Sequence, residues 1–112
     1  MAESLLIVDD ARFARLMIRS YIERLRPGAT ILEAGDGQEA LAVIGRSATL
    51  DWCTIDYNMP GDNGLVVAEK IRALRPDTHL AVITANVQDT LRQRIVDAGI
   101  YFIAKPVTEA KL

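Results

Sequence analysis

The chain has 112 residues, enough for one hydrophobic core and too few for two. Half of them are hydrophobic and a quarter charged, an ordinary globular composition. A formal net charge of -2 gives no chain-wide basic field for direct nucleic-acid binding, and no apolar run reaches membrane-spanning length.

Leu5-Leu6-Ile7-Val8 is the first predicted strand, ended by Asp9 and Asp10. A helix follows to about Arg26, where Pro27-Gly28 stops it; Ala14, Ile18, Tyr21 and Leu25 recur at helical spacing and are expected to face the sheet. Thr30-Ile31-Leu32-Glu33 is the second strand. Asp36, with Glu39 three places on, reads as a capping box for a helix carrying Leu41 and Ile44. Trp52-Cys53-Thr54-Ile55 is the third strand, closed by Asp56. The loop from Tyr57 to Gly64 leads into a helix with Val67, Ile71 and Leu74 that stops at Pro76.

Leu80-Ala81-Val82-Ile83 is the fourth strand, followed by Thr84. Asn86 is expected to cap a helix holding Val87, Leu91, Ile95 and Ala98, which Gly99 closes. The fifth strand, Tyr101-Phe102-Ile103-Ala104, runs into Lys105-Pro106. Thr108 is expected to cap a last helix, but only residues to Leu112 remain, against about 11 in a typical helix. Residues 1–112 therefore read as one domain whose C-terminal helix is incomplete. The lone Cys53 has no disulfide partner within the chain and is expected in the core of a protein in a reducing cytoplasm.

Strands alternating with helices predict an α/β fold, a doubly wound five-stranded parallel sheet with right-handed crossovers. Ligands of such sheets gather beyond the carboxyl ends of the strands. Asp9, Asp10, Asp56, Thr84 and Lys105 stand at those ends on four strands and are expected to converge. At about 4 Å and an effective dielectric near 20, each pair of carboxylates repels by roughly 4 kcal/mol. Lys105 offsets one of the three charges. A divalent cation with oxygen ligands, Mg²⁺, offsets the other two and leaves the pocket close to neutral, ready for an anionic phosphoryl group. A carboxylate can take up that group as an aspartyl-phosphate, with the cation, the Lys105 ammonium and the Thr84 hydroxyl stabilising the transferring oxygens.

Taken singly, each residue has a plainer use: Asp9-Asp10 as a helix cap, Asp56 as a turn former. The joint placement is what points to a site. Asp9-Asp10, Asp56-Tyr57-Asn58-Met59-Pro60, Asn63-Gly64, Thr84-Ala85 and Lys105-Pro106 resemble the receiver domain of two-component response regulators, the chemotaxis (CheY-like) regulators in particular. The resemblance spans the chain and implies the flavodoxin-like strand order 2-1-3-4-5. It implies that Asp56 is the phosphoacceptor, that Asp10 binds Mg²⁺ directly and Asp9 largely through water, and that the Asn58 backbone carbonyl is a further metal ligand. It implies that Thr84 moves towards the phosphoryl group, that Lys105 pairs with it, and that Phe102 is the aromatic switch. The Lys105-Pro106 bond is expected to be cis. The implied partners are a sensor histidine kinase or histidine phosphotransfer protein upstream and an output domain or target protein downstream. The expected function is a phosphorylation-controlled switch and not an enzyme acting on an external metabolite.

Two positions depart from the chemotaxis pattern. Phe102 replaces a tyrosine often found at the switch, so no hydroxyl joins the output surface. Asn86 stands where an acidic residue occurs, and with Asn58 it borders the path of the attacking water. On an ideal helix Leu16 lies about 180° from the core stripe and Phe13 roughly 120° from it. With Arg12, Arg15 and Arg19 around them they resemble the centre and rim of an interface, expected to dock the phosphodonor. His79 lacks a second histidine or cysteine for a metal site and reads as a surface residue; Trp52 is expected to lie remote from Asp56. Two other functions fit the residues less well. A Mg²⁺-dependent aspartate-nucleophile phosphatase wants an acid two places after the nucleophile, where this chain has Asn58. A flavin-binding protein wants a glycine- and hydroxyl-rich phosphate loop after the first strand, where Asp9-Asp10 would repel the phosphate.

Overall fold

Each short apolar run of the sequence lies in a strand, and each amphipathic stretch winds beside one. In the computed structural model, which describes residues 3–112, the elements alternate along the chain: β1 Ser4–Val8, α1 Arg12–Leu25, β2 Thr30–Ala34, α2 Gly37–Gly45, β3 Trp52–Asp56, α3 Gly64–Leu74, β4 His79–Thr84, α4 Asp89–Asp97 and β5 Tyr101–Ala104, then a 3-10 turn Glu109–Lys111. The strands form one parallel sheet in the order β2-β1-β3-β4-β5.

Side chains alternate across a strand, so apolar residues on both phases bury both faces. Leu6, Val8, Cys53, Ile55, Leu80 and Val82 face one layer, against Val67 and Ile71 of α3 and Leu91 and Ile95 of α4. Leu5, Ile7, Ala81, Ile83 and Ile103 face the other, against Ile18 and Ile22 of α1. Cys53 is fully buried, as expected, and desolvation raises its thiol pKa.

The helix boundaries follow identifiable caps. Asp36 accepts a hydrogen bond from the Glu39 backbone N–H at 2.8 Å and starts α2. Asn63 does the same for α3 through the Val66 N–H, at 3.0 Å. Gly28 and Gly99 follow α1 and α4 at φ of +87° and +75°, where a Cβ would be strained.

Several expected core and cap positions differ. Leu25, Leu74 and Val87 are exposed, and the α1 stripe centres on Ile18 and Ile22, with Ala14 and Tyr21 only partly covered. Leu25 and Leu74 are the last residues of their helices. Asn86 does not cap α4: its side chain accepts from the Gln88 N–H at 3.0 Å, forming a local turn that keeps Val87 outside the helix. Thr108 precedes the 3-10 turn without a side-chain cap bond.

Candidate functional site

β1, β3, β4 and β5 run parallel, so their carboxyl ends share one edge of the sheet. β1 ends beside Asp9-Asp10, β3 at Asp56, β4 at Thr84 and β5 next to Lys105. One carboxylate oxygen from each of Asp9, Asp10 and Asp56 lies within 4.8 Å of the others. Asp9 and Asp56 are buried and Asp10 is exposed, so the cluster opens to solvent on one side. Lys105 Nζ stands 2.8 Å from Asp56 Oδ1. The contact is an ion pair without hydrogen-bond alignment, and that buried oxygen has no hydrogen-bond donor.

The backbone holds Asp9 in place. Its N–H donates to the Ala34 carbonyl at 3.0 Å, and its Oδ1 accepts from the Ala11 N–H at 2.9 Å. Desolvation still raises its carboxyl above the ordinary 3.8, with Asp56 and Asp10 adding to the rise and the Ala11 bond and Lys105 opposing it. Three carboxylates against one ammonium leave an excess of two negative charges in a half-covered pocket. The donor set is all oxygen, and one Asp56 oxygen lacks a hydrogen bond; both properties fit a divalent, hard cation. The cluster is therefore able to bind a metal.

Thr84 is fully buried, and its Oγ1 accepts from the Asn86 N–H at 3.0 Å. Its hydroxyl proton remains available to a second acceptor. The Tyr57 N–H donates to the Ile83 carbonyl at 2.8 Å and the Lys105 N–H to the Thr84 carbonyl at 2.9 Å, tying the ends of β3, β4 and β5 together. The Lys105-Pro106 bond is cis, as expected. Asn58 is exposed in the loop after β3. Phe102 is half-buried on β5, with the Arg92 guanidinium 5.5 Å from its ring centroid. Phe13 and Leu16 are 74 % and 50 % exposed on α1, so neither packs against the sheet. Trp52 lies at the opposite end of β3, stacked on His79 with ring centroids 4.5 Å apart, which leaves both outside the site.

Residues 5–112 match the family described as the response regulator receiver domain. The chain belongs to that family. It is 33% identical to the Vibrio cholerae chemotaxis protein CheY-3, over 96% of this chain and 84% of that protein. It is also 33% identical to the Xanthomonas campestris cyclic di-GMP phosphodiesterase response regulator RpfG, over 97% of this chain. It spans only 29% of the length of RpfG, and 41% of the Bacillus subtilis transcriptional regulatory protein ResD. Solved receiver structures share the fold: Vibrio cholerae CheY4 superposes with a TM-score of 0.86, covering 99% of this chain and 92% of that one at 24% identity. A CheY-like receiver from Methanospirillum hungatei gives 0.87, covering 98% and 86% at 24% identity. The chain is thus a two-component response regulator receiver domain, of the phosphoacceptor-switch type. The relatives named as phosphodiesterases are longer proteins, of which this chain covers 29% and 27% in two cases. Among the described residues no helix is long and apolar enough to cross a membrane.

Two supporting residues carry little signal in the sequence. Gly64 lies against the end of β3: a Cβ there would stand 2.4 Å from the Asp56 carbonyl oxygen and 2.8 Å from the Tyr57 Cα. Only glycine fits, and its N–H donates to the Tyr57 carbonyl at 2.9 Å. Arg15 bonds the backbone carbonyl of Asp9 from one turn along α1. A glycine at a helix start can be read from sequence, but its approach to the Asp56 backbone cannot.

Proposed function

We propose that this receiver accepts a phosphoryl group on Asp56 from the phosphohistidine of a sensor kinase or histidine phosphotransfer protein. Mg²⁺ would be held by Asp9, Asp10, Asp56 and the backbone carbonyl of Asn58. The observation that carries the reading is the buried Asp56 carboxylate, ion-paired to Lys105 at 2.8 Å and clustered with two further acids.

In the transfer, an Asp56 carboxylate oxygen attacks the phosphorus. The bond from phosphorus to the imidazole nitrogen breaks, the nitrogen keeps the electron pair, and an acyl phosphate forms. A divalent cation held by these acids would supply positive charge to offset that developing on the phosphoryl oxygens. Lys105 leaves its ion pair with Asp56 and pairs with a phosphoryl oxygen. Thr84 turns its free hydroxyl proton towards another, drawing the β4–α4 loop with it through the Asn86 N–H bond. Phe102 then moves into the space Thr84 leaves, reshaping the surface of α4 and β5. Water reaching the acyl phosphate past Asn58 and Asn86 reverses the state slowly, without turnover of an external substrate.

Phe13 and Leu16, with the exposed Arg12 beside them, supply the docking surface for the phosphodonor, while Arg15 and Arg19, expected at its rim, turn to Glu33 instead. The phosphodonor places the domain in the cytoplasm. The readout is an output domain or a separate target protein, as in the longer relatives, and this domain contacts neither nucleic acid nor membrane itself. No observation favours the aspartate-nucleophile phosphatase reading.

The test is phosphotransfer from a radiolabelled phosphohistidine protein to this chain. The label should appear on the receiver as a base-labile acyl phosphate and be absent from Asp56→Asn. Label that survives in Asp56→Asn places the acceptor elsewhere and removes the proposal.

A further inference from the structure

Arg15 is the one basic side chain of α1 that reaches the acidic end of β1. Its Nη1 donates to the Asp9 carbonyl oxygen at 2.5 Å and its Nε to Glu33 Oε1 at 3.0 Å. Glu33 lies on β2, opposite Ile7 in the register, and its other oxygen accepts from Arg19 Nη1 at 2.9 Å. The Asp9 carbonyl belongs to the peptide joining Asp9 to Asp10. Its orientation therefore sets where both carboxylates point. With the Asp9 N–H on Ala34 and its Oδ1 on the Ala11 N–H, Arg15 supplies the third anchor of this peptide.

The guanidinium suits this task. Two nitrogens of a rigid fork engage two acceptors at once, and Glu33 fixes the plane of the fork. Glu33 also offsets the arginine's charge, so the cation does not compete strongly for the acids beside it. Arg19 holds the second oxygen of Glu33, which keeps that carboxylate in place if Arg15 is lost.

We infer that Arg15, aimed by Glu33, is a positioning residue for the metal-binding acids and sets their affinity for Mg²⁺ through the backbone of Asp9. The inference rests on the reading that Asp9, Asp10 and Asp56 hold that ion. Partners that orient metal ligands typically change affinity by about 10- to 100-fold when removed. The sign is diagnostic. A guanidinium acting only as a nearby charge repels the cation, and its removal would tighten binding. A guanidinium acting by position weakens binding when lost.

The experiment is an NMR titration of the metal-free protein with MgCl₂, comparing wild type, Arg15→Gln, Arg15→Lys, Glu33→Gln and Asp10→Asn. Expected are a Kd raised about 10-fold in Arg15→Gln, partial recovery in Arg15→Lys and a smaller rise in Glu33→Gln. A urea midpoint in EDTA accompanies each variant, because a role confined to stability moves the midpoint and leaves the Kd alone. An unchanged or lower Kd in folded Arg15→Gln overturns the inference. Should that variant not fold, an unchanged Kd in Glu33→Gln does so. Loss of binding in Asp10→Asn supports the metal reading independently, and a wild type that binds no Mg²⁺ removes both.

Discussion

Lys105 Nζ sits 2.8 Å from Asp56 Oδ1, so the end of β5 is tied electrostatically to the end of β3 across the intervening β4. The lysine side chain is 38 % exposed and the aspartate 4 %, which makes the aspartate the partner that depends on the pair. Replacing Lys105 by Met leaves three carboxylates with no cation. Screening at the exposed lysine limits the loss, and the metal-free protein is expected to lose about 1 kcal/mol in urea unfolding. Mg²⁺ binding should tighten in the same variant, because the ion then meets the full charge of the cluster. Weaker Mg²⁺ binding would mean that Lys105 supports the metal site by position and not by charge balance.

Asp9 gives a pH dependence with a defined sign. Its carboxyl is raised above 3.8, chiefly by burial. A carboxyl with a higher pKa folded than unfolded costs stability once the pH exceeds both values, and nothing below the unfolded one. Asp9→Asn keeps an oxygen for the Ala11 N–H while removing the charge. Without metal the variant should melt a few degrees above wild type at pH 7, and the gap should close as the pH falls below 3.8. Excess Mg²⁺ should raise the melting temperature of wild type more than that of the variant. A variant that melts lower at pH 7 in EDTA contradicts this.

Gly64→Ala would place a Cβ 2.4 Å from the Asp56 carbonyl oxygen, a backbone atom that cannot swing aside. The end of β3 or the start of α3 must shift. An expected cost of about 1–3 kcal/mol in urea unfolding accompanies slower phosphorylation of Asp56. Wild-type stability together with a wild-type rate would show that the two backbones separate freely.

Leu16→Asp changes an exposed residue of α1 that packs on nothing in the sheet. Phosphorylation by acetyl phosphate should proceed at the wild-type rate, while transfer from the phosphohistidine protein should slow at least about 10-fold, the loss of a residue worth more than 1.4 kcal/mol. Equal slowing in both assays removes Leu16 from the docking surface.

The strands and the convergence of Asp9, Asp10, Asp56, Thr84 and Lys105 were legible because both depend on short-range patterns. Apolar runs mark the strands, and a polar residue after each run marks its end. Helix edges were less legible. Leu25, Leu74 and Val87 keep the apolar character of a core stripe but lie where their helix ends or has not begun. Asn86 resembles a cap in sequence, yet its side chain closes a local turn on Gln88 after Thr84 has closed one on Asn86. The Arg15–Glu33 pair and the approach of Gly64 to Asp56 were not legible at all. Each joins residues brought together only when α1 crosses β2 and α3 abuts β3.

Asp56 is the group that changes chemically in the proposed switch, and the neighbouring acids make the change possible through a metal. Intact-mass measurement after incubation with acetyl phosphate and Mg²⁺ tests it most directly. One phosphoryl adduct is expected on wild type, none on Asp56→Asn, and none when EDTA replaces Mg²⁺. An adduct of equal yield on Asp56→Asn, or one indifferent to EDTA, would contradict it.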